Sequence, residues 1–95
     1  MMLLNSNLNN SLSNLQFGNT KIKYGTRIIS ALPNVDTKFI YDDDVSEYES
    51  YIVISSQHST WDNKLIFVFD TKVWNATSEA KTVVINYLII GTLKQ

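Results

Sequence analysis

The last third of the chain holds two apolar runs around one loop, Lys64-Leu-Ile-Phe-Val-Phe-Asp70 and Thr82-Val-Val-Ile-Asn-Tyr-Leu-Ile-Ile-Gly91. A strand's side chains alternate between two faces, so a half-exposed strand reads apolar, polar, apolar. These two runs do not. In the first, Leu65, Phe67 and Phe69 load one face while Ile66 and Val68 load the other. In the second, Val83, Ile85, Tyr87 and Ile89 oppose Val84, Leu88 and Ile90, with only Asn86 polar among them. Both faces of both strands need covering, yet 95 residues make barely one core. One face is therefore expected to fill the domain, and the other to pack against sister chains around a common axis.

The rest of the pattern is also that of strands. Thr20-Lys-Ile-Lys-Tyr24 alternates, and Gly25 and the lone Pro33 bracket a short, partly extended link around Ile28. Val35-Asp-Thr-Lys-Phe-Ile-Tyr41 and Tyr51-Ile-Val-Ile54 follow as strands, separated by the acidic loop Asp42-Asp-Asp-Val-Ser-Glu47. Ser55 to Asn63 reads as a polar loop, and Val73 to Glu79 as the loop before the last strand. With a short strand at Leu15–Gly18 the count is six. Short strands broken by turn signals, without a 3.6-residue apolar period, predict an all-β, six-stranded antiparallel β-sandwich. In an up-and-down order the loops Gly18–Thr20, Asp42–Tyr48 and Lys72–Glu79 share one end of it. His58-Ser-Thr-Trp61-Asp62 falls at the other.

Residues 1–16 stand apart from the domain at 17–95. They are rich in Asn and Ser, and Leu4, Leu8, Leu12 and Leu15 recur at intervals of four, four and three. On a helix these leucines form one narrow stripe, as in a short coiled-coil seam. Asn and Ser are poor helix formers, and so short a helix is marginal alone. The segment reads either as a polar tail or as a helical or extended stalk, ordered when sister chains align.

Composition removes several functions. The net charge is −1 and Lys and Arg form no cluster, so no nucleic acid partner is expected. With no cysteine, disulfides and thiolate metal sites are excluded. Charged residues are 18% of the chain, against ~25% in typical soluble domains, which fits a surface partly hidden between subunits. No apolar run approaches the ~20 residues of a membrane span, and the start lacks the basic and apolar regions of a signal peptide. An extracellular location then implies lysis, a non-classical route or a fragment.

Catalysis is hard to assemble from this set. His58 is the single histidine, so any Ser–His or Cys–His site depends on it; a solvated loop histidine is the plainer reading, and no enzyme is expected. Asp42, Asp43, Asp44, Glu47 and Glu49 offer hard oxygen ligands for calcium, but lack the D-x-D-x-D-G order of an EF-hand. A plain solvated loop is the alternative, and no metal or cofactor is assigned. Trp74 offers a flat apolar face to a sugar, and Asn75 a donor and an acceptor for hydroxyls; equally, Trp74 caps the core. Asn75-Ala-Thr77 and Asn9-Asn-Ser11 also match the N-glycosylation pattern.

Several of these residues occur in a recognisable order. Ile22-x-Tyr24, Ile28 and Pro33-Asn-Val35 resemble the V-x-F…F…P-x-V run that opens H-type lectin domains. Phe67-Val-Phe69…Trp74 and Ile85-Asn-Tyr-Leu-Ile-Ile-Gly91 resemble their closing F-x-V…W and V-x-W-L-A-I-G, and Leu15-Gln-Phe-Gly18 their first strand. The likeness covers residues 15–91. It implies a six-stranded sandwich that assembles as a homotrimer and binds sugars, often N-acetylgalactosamine, at subunit boundaries. Similar domains form the C-terminal tips of bacteriophage tail fibres, commonly after an Asn/Leu-rich trimeric stalk. The resemblance gives Trp74 the place of the aromatic residue in the sugar site. Tyr87 stands for the family's closing tryptophan, Ile89 for a small residue, and Asn75 for the histidine of animal members. Their strand-four arginine has no counterpart in Tyr48-Glu-Ser-Tyr51.

The expectation is thus a non-catalytic, trimeric fibre-tip domain that binds a host-surface glycan through Trp74, Asn75, Asn19, Asp43, Asp44 and Tyr48. Its place is the virion, joined to other virion or fibre proteins through the N-terminal segment. A structural virion protein without a ligand (a fibre trimerisation knob or capsid decoration) and a free, extracellular H-type lectin are the alternatives.

Overall fold

The computed structural model describes residues 14–58 and 64–95. Leu4, Leu8 and Leu12 of the leucine stripe, and Trp61 and Asp62, lie outside the described residues. Among the described residues there are seven strands and one helical turn: β1 (Asn14–Phe17), β2 (Thr20–Ala31), β3 (Asp36–Lys38), α1 (Asp42–Val45), β4 (Tyr48–Gln57), β5 (Ile66–Val68), β6 (Lys72–Asn75) and β7 (Lys81–Leu93). They form two antiparallel sheets, ordered β1-β2-β7-β4 and β3-β6-β5. The all-β class is therefore established.

The strand count is seven rather than six. The additional strand is β6, in the stretch whose polar residues read as a loop. Lys72-Val-Trp-Asn75 alternates after all, with Val73 and Asn75 buried and Lys72 exposed. β2 also runs unbroken through Gly25, which pairs with Tyr87 in the continuous ladder to β7; a Cβ there would meet the Tyr87 hydroxyl at 3.0 Å. Gly18, at φ 60°, begins the two-residue turn between β1 and β2, where a positive φ favours glycine.

The connectivity is not up-and-down. The last strand, β7, lies between β2 and β4, and Lys81 to Thr92 pair with β2 without a break. β7 is thirteen residues long, so its ends lie about 40 Å apart at a strand rise of ~3.3 Å. This spacing decides which loops can share a site.

One buried cluster draws on both sheets: Ala31, Tyr48, Val83, Ile85 and Ile89 from the larger, Ile66 and Val73 from the smaller, and Phe39 and Ile40 from the segment after β3. Ser55 and Gln57 of β4 add direct ties. Ser55 Oγ donates to Phe69 O at 3.0 Å, and Gln57 Nε2 to Ile66 O at 3.0 Å. Gly91 lies where β4 shifts register between Tyr48 and Ser50, and a side chain there would collide with Ser50 O, Tyr48 and Tyr51.

Candidate functional site

β2 is oriented against its own hydrophobicity. Residues paired across an antiparallel sheet share a face, so Ile22, Tyr24, Thr26 and Ile28 lie with Ile90, Leu88, Asn86 and Val84 of β7. The core residues Ile85 and Ile89 lie on the opposite face, with Arg27 and Lys23. Ile22, Tyr24 and Ile28 thus look away from the core and Lys21, Lys23 and Arg27 look toward it, while Ile29 and Ala31 at the end of β2 join the core. On β4 the same outward face carries Ile52 and Ile54, paired with Ile90 and Leu88. On β1 it carries Leu15, paired with Ile22. Ile28, Ile52 and Ile54 are 71%, 59% and 57% exposed.

The cations look inward because the acidic segment is folded beneath them. Arg27 Nη1 and Nη2 donate to Asp44 Oδ2 and Oδ1, both at 2.7 Å, and Nη1 also donates to Phe39 O at 2.6 Å. The guanidinium stacks 4.8 Å from the Tyr87 ring centroid. Lys23 Nζ donates to Asp44 O at 2.7 Å and pairs with Glu47 Oε1 at 2.8 Å; Lys21 Nζ reaches the same oxygen at 3.1 Å. The Arg27 guanidinium holds the Asp44 carboxyl below its ordinary range and is itself raised by that bond. The hydrogen bond from Lys23, then that from Lys21, lowers Glu47 in the same way. Asp44 also closes the start of α1 by accepting the Tyr41 N–H at 2.7 Å. Among the described residues no group of three or more acidic or imidazole side chains could hold a metal ion.

The residues read as ligand contacts occupy two separate regions. Asn19 lies in the β1–β2 turn, its carbonyl accepting from Leu93 N at 2.8 Å, and Glu47 O accepts from Lys94 N at 2.9 Å. Asn19 and the 42–48 segment therefore meet at the C-terminal end of β7. Asp43 is exposed there. Asp44 is taken up by Arg27, and Tyr48 is 3% exposed, its hydroxyl donating to Lys21 O at 3.1 Å. Burial raises the Tyr48 phenol above its usual pKa.

Trp74 and Asn75 lie toward the other end of β7, so the three loops do not share one end. Asn75 is fully buried, and Nδ2 donates to Ala31 O and Glu79 O, both at 2.8 Å. Its Oδ1 accepts from Thr77 N at 2.8 Å and Thr77 Oγ1 at 2.7 Å. Both donors and both lone pairs are used, so the amide organises its own loop and is closed to glycosylation in the folded chain. Trp74 is half-buried, paired with Asp36 on one side and Phe67 on the other. Phe67 is 48% exposed, and Asp36 pairs with Lys72 at 3.2 Å. Phe67 was legible as an apolar strand position; its place beside Trp74 follows only from the β5–β6 register.

Compared with protein-family models, curated proteins and solved structures, the chain matches none. What it shares with H-type lectins rests on the residues quoted above.

Proposed function

We propose that this chain is a non-catalytic assembly module, a subunit of a homotrimeric fibre or virion component that buries the outward face of the four-stranded sheet against sister chains. One observation carries the reading: β2 turns Ile22, Tyr24 and Ile28 outward while Lys21, Lys23 and Arg27 face the core. A strand that ends its life in a monomer gains by the opposite arrangement, because apolar surface is the part worth removing from water. The four strands span about 19 Å, and eight residue steps of β7 about 27 Å. That is roughly 500 Å² of flat area before side-chain relief, polar row included, comparable to the largest patches on monomers and somewhat below the ~800 Å² per partner of a standard interface. In this reading the smaller sheet stacks on the inward face, completing a β-sandwich.

The test is sedimentation of the whole chain. The wild type is expected to run as one oligomer at micromolar concentration. Ile52→Lys/Ile54→Lys is expected to run as a monomer with an unchanged circular dichroism spectrum, since both side chains are more than half exposed. A monodisperse wild-type monomer would overturn the proposal.

The half-buried Trp74 beside Phe67 and Asp36 favours a second reading, a host-surface glycan bound on the smaller sheet. Aromatic faces and a carboxylate are the groups sugars use, and three linked sites would add avidity. Loss of adsorption to host cells by Trp74→Ala, with assembly intact, is the result this reading requires.

A further inference from the structure

Across the middle of the outward apolar face runs one polar row. Thr26, Asn86 and Ser56 stand side by side on β2, β7 and β4. Tyr24, Leu88 and Ile54 form the next outward row on one side; Ile28 and Val84 lie on the other. Thr26 Oγ1 donates to Asn86 Oδ1 at 2.7 Å, which fixes the amide and leaves its Nδ2 donors without a partner among the described residues. Asn86 is also the single polar residue between Val83 and Ile90 on the central strand.

We propose that Asn86 sets the register of self-assembly: when the outward face is buried, its amide donors bond to polar groups of the same row on a neighbouring copy. This rests on the assembly reading above and specifies how that assembly is aligned. A second copy fits this row better than any purely apolar partner. Asn carries donors and acceptors, and Thr26 and Ser56 add hydroxyl oxygens, so the row is complementary to itself. An acyl chain or an apolar segment would bury the two Nδ2 donors unmatched, which proteins avoid. Sliding one copy by two residues would set Asn86 against Leu88 or Val84 and strand the same donors. An isolated polar residue in an apolar interface selects one alignment in coiled coils by this mechanism, at some cost in stability.

The experiment compares the full-length wild type, Asn86→Val, Asn86→Thr and Ile52→Lys/Ile54→Lys by native mass spectrometry and by sedimentation over a hundred-fold range of concentration. Val and Thr both suit a strand, so the fold should survive; circular dichroism checks it. A single wild-type stoichiometry is expected to become mixed, or to be lost, in Asn86→Val, and to be kept more fully by Asn86→Thr, which retains a hydroxyl. If Asn86→Val keeps the single wild-type stoichiometry and dissociates within two-fold of the wild-type concentration, the register role is overturned. The assembly reading survives that result provided Ile52→Lys/Ile54→Lys still dissociates. A monomeric wild type overturns both.

Discussion

The two faces of β2 solve opposite problems within the same twelve residues. Inward, Lys21, Lys23 and Arg27 are held by Glu47, Asp44 and the Phe39 carbonyl at 2.6–3.1 Å. Outward, Ile22, Tyr24 and Ile28 lie beside Ile90, Leu88 and Val84 of β7. Inward, the cations are paired and only Ile29 and Ala31 at the end of the strand join the core; outward, Ile22, Tyr24 and Ile28 belong to a face that the smaller sheet does not cover. Apolar residues are ordinarily sent to the core of a small domain, which has little apolar surface to spare. Here the inward side at Lys21, Lys23 and Arg27 is occupied by the acidic segment. Charges drawn from water need several well-placed partners, and Asp44, Glu47 and the Phe39 carbonyl supply them.

The strongest way to break this contrast is Arg27→Met. It takes the paired cation from the half-buried Asp44 carboxylate, leaving it the Tyr41 N–H, and removes the donor to the Phe39 carbonyl, so unfolding in urea is expected to show a loss of about 2–3 kcal/mol. Arg27→Met with Asp44→Leu should recover much of that loss, because no charge is then left alone. A double variant as unstable as the single would mean that the pair is not what holds the segment.

Acid acts on the same face with a smaller effect. Asp44 and Glu47 titrate below their ordinary values in the folded chain, so the unfolded chain binds more protons as the pH drops. Stability therefore rises with pH in this window. The contribution is complete above the unfolded carboxylate range, near pH ~4, and is lost as pH falls through the folded values. The melting temperature should decline between pH 5 and 3, and less steeply in Asp44→Asn/Glu47→Gln. Parallel curves for the two proteins would remove these carboxylates from the account.

The outward face should yield the smallest change in the fold itself. Ile28 is 71% exposed, and Ile28→Thr is expected to alter the stability of a single subunit by less than about 0.5 kcal/mol. If the face is buried between copies, the wild-type melting temperature rises with protein concentration, and Ile28→Thr flattens that rise. Equal concentration dependence in both would place Ile28 outside any interface.

Much of the fold was legible along the chain. The doubly apolar run from Thr82 to Gly91 became the central strand of the larger sheet, where neighbours on both sides leave few positions fully exposed. Gly18-Asn19 read as a turn and is one. β6 was missed because Lys72 and Asn75 were weighed as loop residues, although alternation about Val73 was present. The candidate site was less legible. Asn75 carries the groups a sugar would need, but Ala31, Thr77 and Glu79 use all of them. Tyr48 and Asp44 were likewise drawn inward by Lys21 and Arg27, which are 27 and 17 residues away.

The sequence by itself determined that this is a β protein, because a period of two, β-branched residues and turn glycines act within a few positions of one another. It also settled the stock of chemistry: one histidine, no cysteine, and no clustered positive charge. Alternation defines two faces for every strand but does not say which one turns inward. That was decided only in three dimensions, where Arg27 met Asp44 and Lys23 met Glu47. With those pairs on the inward side, Ile22 and Ile28 lie on the outward face, while Ile29 reaches the core.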